Sequence, residues 1–433
     1  MGFGRNVRAL AVLGVIAAGA GTALLLHVVV ARLGGTETYA TFAVAWAALN
    51  LAAVAAVLGY DQLALAVAAG ERPLARAFAR TAAREVAFLG AAISIAGLLS
   101  LAAAGAHPAA AAGLLAVAPA IAAVPLIAAT RVLAALVAAD GGVLRAIWPE
   151  RILRDLLILA VVIGVAAMTG GITVLTVFLA AATASAVVLA IMLGQAHARF
   201  RLAGGGPLPA VPLPAWRRKA LALGLSSFSF QAMQRMPVLL AGILFLPDET
   251  ARIAAALSVA ELAGFPIVAV VAALNPELAA HRRGADVGGL ARIHRASIAL
   301  GFFGGLAAAA VLSALGPFVL SWFAVGAERT LLLVFVFAHV LRSAFGVSTQ
   351  VLLVCGHVPL VWAGNMVGLA TAYGVGVALG PALGPSGLGA ALVFGTLASQ
   401  VFRLGAVMKR LGPCYRAALF GRGPRPPTGS PAD

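Results

Sequence analysis

The sequence predicts an all-α polytopic membrane protein with about 12 transmembrane helices, arranged as two six-helix lobes that repeat in parallel. The first supporting observation is composition, because 62% of the 433 residues are hydrophobic and only 10% are charged. Soluble domains carry about a quarter charged residues. The second is that apolar runs of about 20 residues, enough to cross a bilayer core as a helix, recur from end to end. The third is an internal repeat that relates the two halves of the chain.

Each apolar run is bounded by polar, basic or Gly/Pro-rich sequence. The first run follows a basic head but exceeds the about 7–15 apolar residues of a signal peptide, so we interpret it as a retained helix. Prolines inside spans four and eight are tolerated where neighbouring helices satisfy the freed backbone groups. The predicted spans cover residues 7–31, 41–61, 85–104, 113–138, 152–169, 172–194, 220–246, 253–274, 297–316, 331–355, 360–380 and 387–408.

The positive charge, +16 in total, follows the topology of these spans. Most Lys and Arg residues fall on the side that holds both termini, and the loops of the other side carry only Arg32, Arg252 and Arg329. By the positive-inside rule both termini are expected to be cytoplasmic. Because topology accounts for the basic residues, no nucleic-acid partner is expected. Two cysteines, Cys355 and Cys414, exclude a disulfide framework and a zinc site, and no metal or cofactor is expected.

Two loops repeat between the halves of the chain. The stretch "LGYDQLALAVAAGERPLAR" (residues 58–76) aligns without gaps with "LNPELAAHRRGADVGGLAR" (residues 274–292), and "DGGV" (Asp140–Val143) parallels "CGHV" (Cys355–Val358). Six spans per half give both halves the same orientation, so the repeat is parallel. The predicted parts are an N-terminal lobe, a cytoplasmic Gly/Pro linker, a C-terminal lobe and a disordered cytoplasmic tail, at residues 1–198, 199–218, 219–410 and 411–433.

Two equivalent bundles with short loops are typical of a transporter that rocks one lobe against the other. The rival class is a membrane enzyme, such as a polysaccharide polymerase or ligase, which needs positioned acids, bases or metal ligands in an accessible pocket. Here the acids are scattered and no external loop is long enough to house an acceptor site. The sequence therefore favours a transporter and no enzymatic activity.

Three stretches resemble the polysaccharide flippases of the multidrug/oligosaccharidyl-lipid/polysaccharide (MOP) exporter superfamily. They are "ARLGGTETYATFAVAWAALNLAAVAAVLGYDQLALAVAAGE", "FPIVAVVAALNPELAAHRRGADVGGLARIHRAS" and "GNMVGLATAYGVGVALGPALGPSGLGAAL". In the first stretch Ala40 stands where the family usually has Gly. Family members also often carry Arg-x-Asp in span seven, where this chain has Arg235 and then Pro237. The other matching positions are Ala31, Arg32, Gly34, Glu37, Tyr39, Phe42, Gly59, Pro276, Asn365 and Gly387–Gly389.

The resemblance implies a MATE-like arrangement and a multi-pass flippase in the inner (cell) membrane of a bacterium. Such a flippase moves undecaprenyl-diphosphate-linked oligosaccharide from the cytoplasmic to the periplasmic leaflet. Such a carrier serves surface polysaccharide biosynthesis, for example of the O-antigen of lipopolysaccharide. Its expected partners are the lipid-linked oligosaccharide, membrane lipids, and glycosyltransferases or a polymerase of the same pathway. The alternative is a cation-coupled multidrug or small-molecule antiporter of the same superfamily, which would need membrane carboxylates for its cations.

Two arginines within spans predict the substrate site. Arg235 and Arg342 each lie 11 residues from the outer end of their span, roughly 16 Å deep at about 1.5 Å per residue. An arginine at that depth faces a bundle interior or a water-filled cavity. Its planar guanidinium group can donate two parallel hydrogen bonds to a phosphate. The other reading is a structural ion pair with Glu261, which could neutralise one of the two arginines.

Further polar residues within spans are candidates to line the same site. His339 lies one helical turn from Arg342, and Gln231 and Gln234 flank Arg235, so that all three are expected to contact substrate or to bridge helices. The same two readings hold for Asn50 and Asn365. A basic stripe on the helix before span three is predicted to rest on anionic lipid headgroups, or to dock a diphosphate headgroup first. It consists of Arg72, Arg76, Arg80 and Arg84.

Overall fold

The computed structural model describes residues 2–67, 72–104, 108–140, 142–200, 213–283, 286–326 and 328–421. These residues are helical apart from short connections and contain no strand. The helices are α1 (Gly2–Val57), α2 (Tyr60–Val67), α3 (Arg72–Ala104), α4 (Pro108–Ala139), α5 (Val143–Trp148), α6 (Arg154–Thr169), α7 (Val174–Phe200), α8 (Leu213–Leu244), α9 (Pro247–Ala260), α10 (Phe265–Arg283), α11 (Val287–Ser321), α12 (Arg329–Ala344), α13 (Ser348–Val354), α14 (Val358–Leu383) and α15 (Pro385–Leu419).

The predicted spans correspond to these helices in order. Among the described residues nine helical segments are long and apolar enough to cross a membrane, or ten if the bent pair α12 and α13 forms one span. The first segment, Ala11–Val57, contains two predicted spans, which are separated by the non-helical residue Gly35 (φ 76°, ψ 179°). Predicted span seven corresponds to α8, which is not among these segments. Arg235 lies in the C-terminal third of this helix. The all-α, polytopic class is confirmed.

The described helices pack into two compact units. The first packing unit comprises Met1–Val259 and Pro317–Glu328, and the second comprises Ala260–Gly316 and Arg329–Asp433. The first therefore contains α8 and α9 together with the N-terminal helices, whereas the sequence places the boundary between lobes in the linker at 199–218. The lobe boundaries stay a prediction.

The sequence repeat has a counterpart in the helix boundaries. Helices α5 and α14 begin at Val143 and Val358, 215 residues apart, which is the offset between the "DGGV" and "CGHV" motifs. The residues before them adopt nearly the same conformation, with φ −87° and ψ 38° at Gly142 and φ −91° and ψ 45° at His357. A duplication predicts such equivalent helix starts.

The C-terminal region is helical further than the sequence predicts. Helix α15 is broken at Gly412 (φ 79°, ψ −169°) and continues to Leu419, within the tail predicted to be disordered from residue 411. Tyr415 and Leu419 are buried in an apolar cluster of the second packing unit. Burial of these two side chains accounts for the added order, because it offsets the conformational entropy that a free tail would retain.

The backbone of the connection between α1 and α2 lies directly against the backbone of α8. The chain leaves α1 through Leu58 (φ 49°) and Gly59 (φ 78°), and it then starts α2 at once. A Cβ atom on Gly59 would lie 2.4 Å from the carbonyl oxygen of Ala220 in α8. Only glycine combines this positive φ with such contact, so the residue holds the α1–α2 connection directly against α8.

Candidate functional site

A cavity of about 490 Å³ lies within the first packing unit. We call it the arginine cavity. Its walls come from α1, α2, α4, α5, α8 and the turn between α5 and α6. Its charged lining residues are Asp61, Arg131, Glu150, Arg151, Arg154 and Arg235, and its polar ones are Asn50, Gln62, Ser227 and Gln231. With four guanidinium groups and two carboxylates, the lining favours an anion.

Arg131 lies in the C-terminal third of α4 and contacts two polar groups of the lining. Its Nη2 donates to Oδ1 of Asn50 at 3.4 Å, and Asn50 is itself held by donation from Nδ2 to the Trp46 carbonyl at 2.9 Å. Its Nε lies 3.7 Å from Oε1 of Glu150, a distance that allows an ion pair but is too long for a good hydrogen bond. Among the described residues this buried Nε has no hydrogen-bond acceptor.

Glu150 and Arg151 reach the cavity from a π-helical turn. The turn spans Pro149–Leu153, and the backbone N–H of Arg154 bonds to the carbonyl of Pro149, five residues earlier. Because such a turn contains an extra residue, it changes which side chains share a face, and π turns recur at functional sites. Here three charged residues, Glu150, Arg151 and Arg154, line one cavity.

Arg154 is held in place by two neighbours. Its Nε donates to Oδ1 of Asp155 at 3.1 Å, and its guanidinium lies 5.6 Å from the centre of the Trp46 ring. A carboxylate partner and a cation–π contact both restrain the side chain. Asp155 is 3% exposed and does not line the cavity, so it acts as a buried counter-charge for Arg154.

Helices α2 and α8 close another side of the cavity. The side-chain amide of Gln62 donates to the Ser227 hydroxyl, which joins the two helices. Asp61 accepts a hydrogen bond from the backbone N–H of Gln62 at 2.8 Å. One helical turn beyond Ser227, Gln231 lines the cavity as well, and Arg235 follows one turn later. The 3.6-residue period thus places these three α8 residues on one face.

The structure brings together part of the site that the sequence predicts. Arg235, Gln231 and Asn50 line the arginine cavity, whereas Gln234 is 8% exposed and does not. Four other predicted residues belong to the second packing unit and are not part of this lining: Glu261, His339, Arg342 and Asn365.

Three of the predicted residues lie near one another within the second packing unit. A Cβ atom on Gly264 would meet Nη2 of Arg342 and Nδ1 of His339, so both side chains face this glycine, as their spacing predicts. Glu261 begins the same short 3₁₀ turn and lies within electrostatic range of Arg342. Within this unit Glu261 is therefore close enough to Arg342 to act as a counter-charge. Asn365 is 2% exposed on α14.

Arg403 is a buried arginine of the second packing unit that sequence reasoning located in a span without assigning it a role. It is 3% exposed and donates to the Thr349 hydroxyl, the Ser399 hydroxyl and the Ser399 carbonyl. Gly364 leaves room for it, because a Cβ there would meet the Arg403 side chain. These contacts make Arg403 a link between α13, α14 and α15.

The basic stripe lies on α3. Arg80 and Arg84 are exposed and Arg76 is half-buried, while the side chain of Arg72 lies outside the described residues. Just beyond the stripe, Glu85 forms an ion pair with Arg217 of α8. Exposure of this kind is compatible with contact to headgroups, which stays a prediction.

Sequence reasoning missed most of the charged lining. It noted Arg131 within span four, but it treated Arg151 and Arg154 as topological charges at the end of a loop. Asp61 and Glu150 were not proposed as site residues. The signal that could have found them is the density of charge in "RAIWPERILRD" (residues 145–155), where three arginines and two acids lie close together at the start of a span.

No protein-family model and no curated protein matches the sequence. The fold, in contrast, matches solved transporter structures. A multidrug resistance MATE family transporter of the MOP superfamily, in an inward-facing conformation, aligns with a TM-score of 0.69 and 17% identity, covering 94% of this chain and 99% of its own. The chain adopts a MATE-like fold.

Two further structures show the same MATE-like fold. A MOP superfamily transporter from Pyrococcus furiosus Vc1, described as having a binding pocket of reverse polarity, aligns with a TM-score of 0.69 and 17% identity over 95% of each chain. A eukaryotic MATE transporter aligns with a TM-score of 0.66 and 14% identity over 98% of this chain and 100% of its own. At these identities the likeness concerns the fold, and the chemistry of the cavity is what bears on the substrate.

Proposed function

We propose that this protein is a transporter that moves an undecaprenyl-diphosphate-linked oligosaccharide across a bacterial inner membrane, for the assembly of surface polysaccharide. The proposal rests on the lining of the arginine cavity, which has four guanidinium groups and two carboxylates. Arginine binds phosphate through two parallel hydrogen bonds, and a diphosphate provides several acceptor oxygens. The MATE-like fold supports transport by alternating access.

The polar residues of the cavity fit the sugar end of such a substrate. Asn50, Gln62 and Gln231 provide amide donors and acceptors beside the arginines, and amides pair well with sugar hydroxyls. The cavity volume of about 490 Å³ is within the usual range for ligand pockets of about 300–1,000 Å³. That volume is enough for a headgroup, while the polyprenyl chain stays in the lipid.

A multidrug antiporter is the second candidate, because Asp61 and Glu150 also line the cavity. Cationic drugs and coupling ions are bound by membrane carboxylates. The lining as a whole carries an excess of two positive charges, which disfavours a cation. For the MOP superfamily transporter from Pyrococcus furiosus, reverse polarity of the binding pocket is described as suggesting a different function.

Replacement of Arg235 tests the proposal. The protein is reconstituted into liposomes with a fluorescent undecaprenyl-diphosphate-linked oligosaccharide, and movement of the label between leaflets is measured. Loss of a bidentate contact of about 1.5–3 kcal/mol should reduce the apparent affinity at least tenfold in Arg235→Gln. Arg235→Lys keeps the positive charge but cannot donate two parallel hydrogen bonds, so its defect should be smaller than that of Arg235→Gln.

Arg252→Gln is the matched control, because Arg252 belongs to the same packing unit and pairs with Glu328 outside the cavity lining. It should transport like the unmodified protein. The same liposomes are tested for uptake of a cationic dye. Transport of the dye together with no movement of the lipid-linked sugar would replace the proposal by the antiporter reading.

A further inference from the structure

Arg131 and Glu150 are oppositely charged residues that both line the arginine cavity. The two side chains are each 20% exposed, and Nε of Arg131 is 3.7 Å from Oε1 of Glu150. The neighbouring pair, Arg154 with Asp155, is closer at 3.1 Å and is hydrogen-bonded. A structural ion pair would be expected to have the closer geometry, because good geometry is what offsets the desolvation of two charges.

Arg131 has hydrogen-bond donors with which it could bind a second anion. Its Nη2 has only the 3.4 Å contact with Asn50, and its buried Nε has no hydrogen-bond acceptor among the described residues. A buried donor without an acceptor is costly, so a ligand oxygen that reaches it gains stability. Glu150 supplies charge without supplying that hydrogen bond.

A phosphate in the cavity would compete with Glu150 for the same guanidinium. Both groups are anionic, but a phosphate can accept two parallel hydrogen bonds from arginine, which the observed carboxylate does not do here. After displacement Glu150 would remain in the cavity lining as a negative charge close to a negative ligand. Like charges at short range repel, so the same residue that is displaced would also favour release.

We propose that Glu150 is an internal counter-anion of Arg131, which the phosphate of the cargo displaces, and that Glu150 thereby limits affinity and promotes release. This inference rests on the proposed function and names Glu150 as a specificity-determining residue of the same site. A carrier needs this property, because a cargo that is bound too tightly is not delivered. The ligand chemistry it selects is a diphosphate on a polyprenyl chain.

Asp61 provides a matched comparison. It lines the same cavity, and Asp61→Asn removes the same unit of negative charge as Glu150→Gln. Its side chain accepts a hydrogen bond from the Gln62 backbone, and an asparagine oxygen can retain that bond. Asp61→Asn therefore reports the general effect of charge in the cavity, whereas Glu150→Gln adds the loss of direct competition for Arg131.

The experiment measures binding of farnesyl diphosphate to the purified full-length protein in detergent, with farnesol as the uncharged probe. We expect Glu150→Gln to bind farnesyl diphosphate about fivefold tighter than the unmodified protein, and Asp61→Asn less than about twofold tighter. Arg131→Gln combined with Glu150→Gln should lose the gain. In liposomes Glu150→Gln should lower KM and also lower the maximal rate, since release becomes slower.

The outcomes separate the inference from the proposed function. If the unmodified protein prefers farnesyl diphosphate over farnesol and Glu150→Gln binds no tighter, the inference is wrong and the proposed function stands. An equal gain in Asp61→Asn would also refute direct competition. If no variant prefers the diphosphate, both fail. If Glu150→Gln does not fold, Glu150→Asp, whose shorter side chain lies farther from Arg131, should show a smaller gain in affinity, and an unchanged affinity would refute the inference.

Discussion

The Nδ1 atom of His294 and the hydroxyl of Tyr415 are 2.6 Å apart, and both side chains are fully buried. This hydrogen bond joins α11 to the part of α15 that follows the break at Gly412. On its other side, Nε2 of His294 is 2.9 Å from the Ser348 hydroxyl, which itself donates to the Phe345 carbonyl. We therefore assign the proton to Nε2 and an acceptor role to Nδ1. One histidine thus connects the C-terminal segment with the bend between α12 and α13.

Replacing Tyr415 by phenylalanine should destabilise the second packing unit. The change leaves Nδ1 of His294 buried without a donor, at a cost of about 1–3 kcal/mol. Thermal unfolding in detergent should show a lower Tm for Tyr415→Phe. Tyr373→Phe is the control, because the Tyr373 side chain is 52% exposed on α14. Equal Tm values for the two variants would mean that the hydrogen bond contributes no net stability.

Replacing Gly59 by alanine should prevent close packing of the α1–α2 connection against α8. The added Cβ would lie 2.4 Å from both the Ala220 oxygen and the Gly224 nitrogen, and φ is 78°. Gly170 has the same φ of 78° with no atom within 4 Å of the added Cβ, so Gly170→Ala carries only the backbone strain of about 1–3 kcal/mol. Folded yield and Tm should fall clearly more for Gly59→Ala. Similar losses in both variants would show that the α8 backbone can move away.

Neutralising Arg342 should affect stability, because Glu261 would remain as a half-buried carboxylate without this partner. Breaking a buried pair costs about 3–5 kcal/mol, and we expect about 1–3 kcal/mol at this half-buried site. The amount of protein in the membrane and its Tm should fall in Arg342→Gln and recover when Glu261→Gln is added. Full stability of Arg342→Gln alone would contradict the structural pairing.

The connection before α11 should depend on pH through Asp286. Its Oδ1 accepts the Gly289 N–H at 2.7 Å and its Oδ2 lies 2.9 Å from Nδ1 of His281, and mainly the backbone hydrogen bond lowers the pKa of the carboxyl. A lowered folded-state pKa stabilises the fold above the unfolded value of about 3.9 and loses this effect as pH falls through the folded value.

Hydrogen–deuterium exchange of the segment around Gly289 measures this effect. Asp286→Ala should exchange faster than the unmodified protein at neutral pH, because the helix loses its N-terminal acceptor. The difference should shrink as the pH is lowered below about 4. A difference that does not change over this range would mean that the charge of the carboxylate contributes nothing.

The predicted orientation can be tested with the two native cysteines. Cys414 is exposed and Cys355 is half-buried, and the orientation predicted from the sequence puts both on the cytoplasmic side. A membrane-impermeant maleimide should label neither in intact cells, and it should label Cys414 first after permeabilisation. A cysteine introduced at Ser386, at the start of α15, should react from outside. Labelling of Cys414 in intact cells would reverse the orientation.

The class of the protein and the order of its helices could be predicted from the amino-acid sequence. Apolar runs of about 20 residues specify membrane helices locally, since each must satisfy its own backbone hydrogen bonds in lipid. It also identified Arg235, Gln231 and Asn50, because polar groups in such runs require an unusual environment. The predicted duplication likewise rests on two motifs, which precede helices that begin at Val143 and Val358.

The packing of the helices shows which of these residues meet. It placed Arg235 in the arginine cavity with Arg131, Glu150 and Arg154, and it placed Arg342 with Glu261 in the second packing unit. Glu150 faces the cavity through a π-helical turn that no periodicity in the sequence reveals. The physical reason is that helix formation depends on neighbours in the chain, whereas the environment of a buried charge depends on side chains from distant helices. Span membership is therefore a local property, and the composition of the cavity is not.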